Sequence, residues 1–296
     1  MRINTFGAID IGSNTIKLLI SNVENIKTKQ NFKGLAYLRV PIRLGSDVFH
    51  NGFISKEKEE ELIIALKGFS YILKAYNVEF YKAYATSAMR EANNGIHIIN
   101  AIKKECGIDI EIISDTKEAD IIYEASGEKL IIDKKKSYLY IDVGGGSTKV
   151  IVYSDGEKIC SRSFKLGTVR ILSDAVELRE IALFNLWLKD MASLYSPRAI
   201  IASGGNINNI YKLLKKDDNK GIEYCNLKNL HDTMQLMSID ERIKNFKLNY
   251  YRADVIVPAM YIFLMAGKTC KIKDFIVPKV ELVDGIIYNL YNQHNI

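Results

Sequence analysis

Two stretches of this chain place an aspartate at the end of an apolar run, then a glycine-containing turn, then a hydroxyl: "IDIGSNTIKLLI" at 9–20 and "IDVGGGSTKVIV" at 141–152. Shifted by 132 positions they align without a gap. Ile9, Asp10, Gly12 and Lys17 fall on Ile141, Asp142, Gly144 and Lys149, Ile11 falls on Val143, and Thr15 on Ser147. Three successive glycines cost backbone entropy on folding, so a plain turn would not use them. Bare backbone lets successive N–H groups point into one concavity, a nest suited to phosphate. Ser147 and Thr148 add hydroxyl donors. Asp10 and Asp142 would hold a divalent cation or a water beside that phosphate, because magnesium takes one or two carboxylates with water and phosphate oxygens. One glycine-rich turn is more often only a tight turn. Two aligned copies, each with its aspartate, argue for a pair of phosphate cradles facing across a cleft. No GxxxxGK[ST] occurs, and "GGGST" opens a strand rather than a helix, which excludes the P-loop and the dinucleotide fingerprint.

The elements that must position these residues follow from periodicity. Self-similarity at such long spacing predicts two related lobes and not a solenoid. Each copy reads as strand, turn, strand, and the first is followed by a strand-rich stretch to about Ile54. Ser55 is an N-cap candidate, with Glu57, Glu59 and Glu60 in the first turn. Leu62, Leu66, Phe69, Leu73 and Tyr76 make one apolar helical stripe. Strands are predicted at 80–86, 108–114, 158–165 and 198–203, the last running into Gly204 and Gly205. Helices are predicted at 87–106 (one or two, stopped by Gly107), 116–126, 176–195 and 253–266, the last mostly apolar and buried. Alternating strands and helices in both halves mean α/β layers. The expected domains are 1–125 and 126–296, with the boundary between 126 and 136 and a final helix from about 283 crossing back to the first lobe.

Composition sets the outer limits. The chain has 296 residues, 48% hydrophobic and 26% charged, the profile of a globular protein with a substantial core. No apolar run reaches the ~18 residues that cross a bilayer, and the N-terminus lacks the apolar segment of a signal peptide. The expectation is a cytoplasmic protein with no membrane partner. Cys106, Cys160, Cys225 and Cys270 are scattered without paired spacing, and so are the four histidines, which argues against a disulfide frame or a zinc site. "HD" at 231–232 has no partner histidines to make a metal phosphohydrolase motif, and Lys134–Lys136 is most simply a solvated turn. A formal net charge of +6 favours anionic small molecules or polyanions and does not argue for a specific nucleic acid.

The paired turns resemble the superfamily of acetate kinase, sugar kinases, heat-shock proteins and actin. The finer wording is similar to one branch, the exopolyphosphatase and guanosine pentaphosphate phosphohydrolase family. The residues that carry this are "AIDIGSNTIKLLI", "YATSAMREANN" (84–94), "IEIISDTKEADIIYEA" (110–125), "YIDVGGGSTKVIV", "KLGTVRI" (165–171), "ASGGN" (202–206) and "YRADVIVPAM" (251–260), in the expected order along nearly the whole chain. Longer family members carry a helical C-terminal extension, and this chain resembles the short, two-domain form. The resemblance implies two ribonuclease H-like (actin-like ATPase) domains, each a mixed sheet flanked by helices, with an interdomain cleft. It also implies roles. Asp10, Gly12, Ser13 and Asn14 would bind phosphate from one lobe, and Gly144, Gly145, Gly146, Ser147 and Thr148 from the other. Asp10 and Asp142 would place magnesium or manganese. Arg90 would contact the phosphate chain with its planar fork, and Glu118 would direct water at the terminal phosphorus. From the residues alone, Glu118 reads first as an ordinary N-terminal helix acid, and Arg90 is equally an ordinary ion pair.

Three positions depart from the family pattern. A glutamate usually follows the GGGST turn; here Lys149 stands there, which would weaken magnesium binding or let the lysine bind phosphate in its place. Its counterpart Lys17 is expected on a solvent-facing strand surface. Asp115 and Lys117 replace a glycine and the first of two glutamates, while Glu118 is kept. An Arg-Glu-Gly element near the C-terminus reads Val283-Asp284-Gly285. The implied function is magnesium-dependent hydrolysis of the terminal phosphoanhydride of polyphosphate or of a phosphorylated guanine nucleotide, by in-line water attack. Two readings compete: a catalytically weak regulator that binds polyphosphate or an alarmone, and a kinase or ATPase of the wider superfamily. A homodimer is compatible with the sequence, because a two-lobe clamp with 10% aromatics can expose apolar surface, but nothing in the sequence fixes an interface.

Overall fold

The computed structural model describes residues 4–26, 29–126, 132–214 and 221–294. It divides into two compact units, Met1–Gly127 with Glu281–Ile296, and Glu128–Val280. Residues 127–131, in the expected boundary region, lie outside the described residues.

The first unit begins with β1 (Asn4–Ile11), β2 (Ile16–Ile26) and β3 (Lys29–Val40), a meander of antiparallel strands. Helices α1 (Leu44–Asn51) and α2 (Lys56–Ala75) lead to β4 (Phe80–Ala85). Then come α3 (Ser87–Glu91), α4 (Gly95–Cys106), β5 (Ile110–Ile112) and α5 (Asp115–Ser126). The sheet order is β3-β2-β1-β4-β5, with β4 parallel to both β1 and β5. The central strand β1 is buried over its last six residues, so both faces carry apolar side chains, as a strand covered on two sides must. Ser55 caps α2 by accepting from the Lys58 amide, and Gly107 stops α4 in the left-handed region at φ 68°, both as the sequence predicts.

The second unit repeats the plan. β6 (Tyr138–Val143), β7 (Thr148–Ser154) and β8 (Glu157–Phe164) form the meander, followed by α6 (Thr168–Leu172) and α7 (Leu178–Tyr195). β9 (Ala199–Ser203) lies parallel to β6, and α8 (Gly205–Leu213) follows it. β10 (Ile222–Glu223), α9 (Tyr224–Gln235), α10 (Ile239–Phe246), α11 (Tyr250–Ala253), α12 (Ile256–Cys270) and β11 (Asp274–Ile276) complete it. The order β8-β7-β6-β9-β11 matches that of the first sheet, with β10 added antiparallel at the edge. Two mixed sheets flanked by helices are thus the architecture.

Three local expectations are corrected. The stretch before Ile54 is not all strand: Arg43 turns the chain at φ 60° and α1 follows, ended by Gly52 at φ 80°. β5 is only three residues long, because it pairs with β4 only over Ala83–Ala85. By length and composition the helical stretch Tyr250–Cys270 would suffice to cross a bilayer, although no such run was expected; 67% of its most apolar window is buried inside the protein, as in a core helix.

The last helix, α13 (Leu282–Gln293), belongs to the first unit and packs on β1, β2, β4 and α5. Tyr291 meets Phe6 edge-on at 6.3 Å and Phe32 at 5.9 Å. Gly285 is where α13 comes closest to α5: a methyl group there would sit 2.5 Å from the Ile121 carbonyl oxygen. Gly285→Ala is therefore expected to destabilise the protein by about 2 kcal/mol through overpacking. Thermal and urea melts of the variant check this, and an unchanged midpoint would remove Gly285 from that role.

Candidate active site

In the first unit, Asp10 sits near the buried end of β1 and the turn 11–15 follows. Gly12 donates its N–H to the Thr15 carbonyl at 3.1 Å, closing the turn. The turn's own carbonyls are taken from behind. Ser13 C=O accepts from the Gly45 amide at 2.8 Å, Asn14 C=O from the Arg43 amide at 3.1 Å, and Ile11 C=O from the Thr86 amide at 3.2 Å. The Ser13 hydroxyl is 2.8 Å from the Ser87 hydroxyl and accepts from the Ala88 amide at 3.2 Å. "DIGSN" and "ATSAM" thus meet at one place. Gly45 suits the close approach, since a methyl there would lie 3.0 Å from Ser13 Cβ and 2.6 Å from the Phe49 ring.

The second unit builds its turn the same way. Gly144 N–H donates to the Ser147 carbonyl at 3.0 Å. Gly144 C=O accepts from the Thr168 amide at 3.0 Å, and Gly145 C=O accepts from Val169 at 2.8 Å and Arg170 at 3.1 Å. The Arg170 side chain donates Nε–H to the Gly146 carbonyl at 2.8 Å, and the Thr148 hydroxyl donates to Leu166 C=O at 2.5 Å. With the carbonyls satisfied, the Gly145 and Gly146 amides have no acceptor among the described residues. Two amides presented in this way make an anion-binding concavity. Any side chain at Gly167 would collide with the Gly145 carbonyl. Gly204, at φ 106°, brings the chain after β9 beside Asp142, and Arg252 braces that loop by donating to Asn206 Oδ1 at 2.6 Å.

The segments behind the two turns are themselves a repeat that the sequence reading missed. Leu44-Gly45-Ser46 in one unit answers Leu166-Gly167-Thr168 in the other. The signal was visible: the same tripeptide pattern follows each copy of the aspartate turn, as the third strand of the meander gives way to a short helix.

The two aspartates share a second feature. In the antiparallel register Asp10 faces Lys17 and Asp142 faces Lys149. Lys17 Nζ lies 2.9 Å from Asp10 Oδ2 and 3.2 Å from Glu281 Oε2, and the Tyr37 hydroxyl donates to the same Glu281 oxygen at 3.2 Å. Lys17 does not point to solvent as expected; its side chain is only 16% exposed. Burial opposes its charge, but Asp10, Glu281 and Tyr37 outweigh that and hold the ammonium above the ordinary lysine pKa. Lys149 Nζ lies 3.8 Å from Asp142 Oδ2, with its side chain 4% exposed. Carboxylates that already face an ammonium in this way do not fit the metal-ligand role expected for Asp10 and Asp142.

Glu118 lies in the first turn of α5, 9% exposed, its amide bonded to Ser114 C=O at 3.0 Å. Neighbouring Lys117 points elsewhere, to Glu111 at 2.5 Å and over the Tyr84 ring. Arg90 is not simply an open fork. Nη1 donates to Ile113 C=O at 2.7 Å and Nη2 pairs with Asp115 at 2.9 Å, which ties α3 to the start of the helix that carries Glu118. Asp115 is the acid that makes this tie.

Residues 22–294 match the Ppx/GppA phosphatase family. The chain belongs to that family. It is 34% identical over 167 residues to a bifunctional 3-dehydroquinate synthase/phosphatase of Fusobacterium nucleatum, covering 55% of this chain and 25% of that protein. It is 25% identical to a putative exopolyphosphatase of Haemophilus influenzae, over 97% of this chain and 92% of that protein. It is also 25% identical to exopolyphosphatase 1 of Mycobacterium bovis, where the match spans 58% of the relative's length. An Aquifex aeolicus Ppx/GppA family structure superposes with TM-score 0.76 at 25% identity, covering all of both chains. An exopolyphosphatase structure from Cytophaga hutchinsonii shares the fold, with TM-score 0.84 at 23% identity and 98% of each chain covered.

Gly167→Ala is expected to push the 144–146 turn out of shape and weaken binding of tripolyphosphate by at least about tenfold, ~1.4 kcal/mol. Isothermal titration of the folded variant checks this; unchanged affinity would show that the turn does not hold the anion.

Proposed function

We propose that this chain is a phosphohydrolase that removes the terminal phosphate of inorganic polyphosphate. The observation that carries the reading is the second turn, whose carbonyls are all engaged from behind while the Gly145 and Gly146 amides are presented without an acceptor. The printed names of the relatives, two exopolyphosphatases and a phosphatase, point the same way.

Hydrolysis of a phosphoanhydride needs an in-line water and neutralisation of the charge on the transferring group, with little covalent help from the protein. Glu118 supplies the first. Its carboxylate orients the water and accepts its proton as the P–O bond to the leaving phosphate breaks. Arg90 acts as a positioning residue: through Ile113 and Asp115 it fixes the start of α5, and so the place of Glu118. The turns, with Ser13, Asn14 and Ser147, supply donors to phosphate oxygens; the Thr148 hydroxyl, expected among them, is buried and donates to Leu166 C=O instead. No step is routed through a metal on Asp10 or Asp142. Guanosine pentaphosphate offers the same terminal bond and is the competing substrate. The regulator reading is favoured by one observation, the buried lysine at 149 where the family carries an acid.

Phosphate release from long polyphosphate, guanosine pentaphosphate and ATP, measured in parallel on the purified chain, separates these readings. Glu118→Gln is expected to lower release at least about a hundredfold, the scale of a lost general base, with ligand binding retained. Wild-type turnover in that variant would remove Glu118 from its role. Tight binding by the wild-type protein without turnover would establish the regulator.

A further inference from the structure

We propose that Lys58, in the first turn of α2, is a positioning residue of the first phosphate cradle. By gripping the Arg43 carbonyl it holds Arg43 in a left-handed conformation, from which the Arg43 and Gly45 amides reach the carbonyls of the 11–15 turn. The inference rests on the phosphate reading of that turn and adds what keeps its backing in place.

Arg43 adopts φ 60° and ψ 45°, a region costly for a residue with a Cβ. Such a conformation persists only where its surroundings over-determine it. From it the Arg43 N–H reaches Asn14 C=O at 3.1 Å, and two residues on the Gly45 N–H reaches Ser13 C=O at 2.8 Å. The second unit does without this strain. No residue from 164 to 170, the segment that backs its turn, has positive φ. There a cation grips the turn directly, through Arg170 Nε–H on Gly146 C=O.

In the first unit the cation grips the backing segment instead. The Arg43 carbonyl accepts from Lys58 Nζ at 2.8 Å, from the Ser46 amide at 3.0 Å and from the Ser46 hydroxyl at 2.9 Å. Lys58 also donates to the Ser46 hydroxyl oxygen and to Asp47 Oδ1, the latter at 2.6 Å. An ammonium has three donors, and these three acceptors use them all. Lys58 therefore acts through the backbone and not as a ligand. Asp47 is fixed in turn: its Oδ2 accepts from the amide of Ser55, the cap of α2, at 3.0 Å. Burial opposes the charge on Asp47, but hydrogen bonds from Lys58 and Ser55 outweigh it and keep its carboxyl below the ordinary range. Both side chains of the pair are mostly buried, so salt screens it less than it would at the surface.

The test reads the backbone first and the ligand second, on the full chain. Lys58→Met is expected to speed hydrogen exchange of the Gly45 amide at least about tenfold by NMR, with the amides of β1 and β4 unchanged. It is also expected to weaken tripolyphosphate about tenfold in titration calorimetry. The decisive step repeats both measurements in an Arg43→Gly background, because glycine takes the left-handed region without strain. There Lys58→Met is expected to change either quantity less than about twofold, the coupling that a double-mutant cycle reads. A lysine that merely joined α1 to α2 would act equally in both backgrounds. That result, or Gly45 exchange untouched by Lys58→Met, would overturn the proposal. If the glycine background binds no anion, Gly45 exchange alone decides. If it does not fold, Arg43→Asn replaces it, since asparagine also visits this region, and Lys58→Gln replaces Lys58→Met on the same condition. Gly45 exchange that responds as expected, in a wild-type protein that binds no tripolyphosphate, would leave the tie standing and overturn the phosphate reading beneath it.

Discussion

A turn can offer its amides to an anion only when its carbonyls, which would repel the same anion, are held somewhere else. That constraint organises both units. In each, the aspartate turn is backed by a segment around a Leu-Gly-Ser/Thr tripeptide whose amides take carbonyls of the turn, and at Gly167 the two backbones approach too closely for a side chain. Strand order, the short helix after the third strand and the parallel fourth strand all serve to bring that segment, and the segment after the fourth strand, up to the turn. A buried backbone polar group left unpaired costs on the order of 1–3 kcal/mol, so the backing also keeps a glycine-rich loop in one conformation.

The acid that precedes each turn raises a second problem. A buried carboxylate is costly unless a cation stands next to it. This chain meets the cost within its own fold, with a lysine directly across the ladder. In the first unit the solution extends further, to Glu281 at the start of the last helix, so that the helix crossing back to the first sheet is joined electrostatically to the turn as well as packed on α5. Lys149 and Glu281 are thus related in kind. Each changes the charge that surrounds an aspartate turn.

The place of Glu118, the proposed base, depends on a different contact. Glu118 is an unremarkable acid in a helical first turn until Arg90 is seen to clamp the residues on which that turn begins. Asp115 looks like the loss of a family glycine, yet it supplies the carboxylate for that clamp. An acid in the first turn of a helix is also favourable against the helix dipole, so the same residue serves local helix stability and the geometry of its neighbour.

Much of this was legible in the sequence. The two aspartate turns, the alternating strands and helices, the Ser55 cap and the Gly107 stop follow from local rules, because strand–turn–strand copies, caps and glycine stops depend on neighbours within a few residues. The motifs likewise announced the family. What the sequence alone left open was which side chains face each other. Lys17 read as a solvent-facing strand residue because strand alternation names a face but does not say what covers it; Glu281, from the far end of the chain, covers it. For Arg90 the residues alone left an ion pair open beside the phosphate role that the resemblance implies, and its partners lie in the strand-to-helix junction 23 to 25 residues on. The turns were decided locally, by glycine and period. The charges around them were decided by tertiary structure, because an ion pair depends on distances of a few ångströms between residues that no local rule connects.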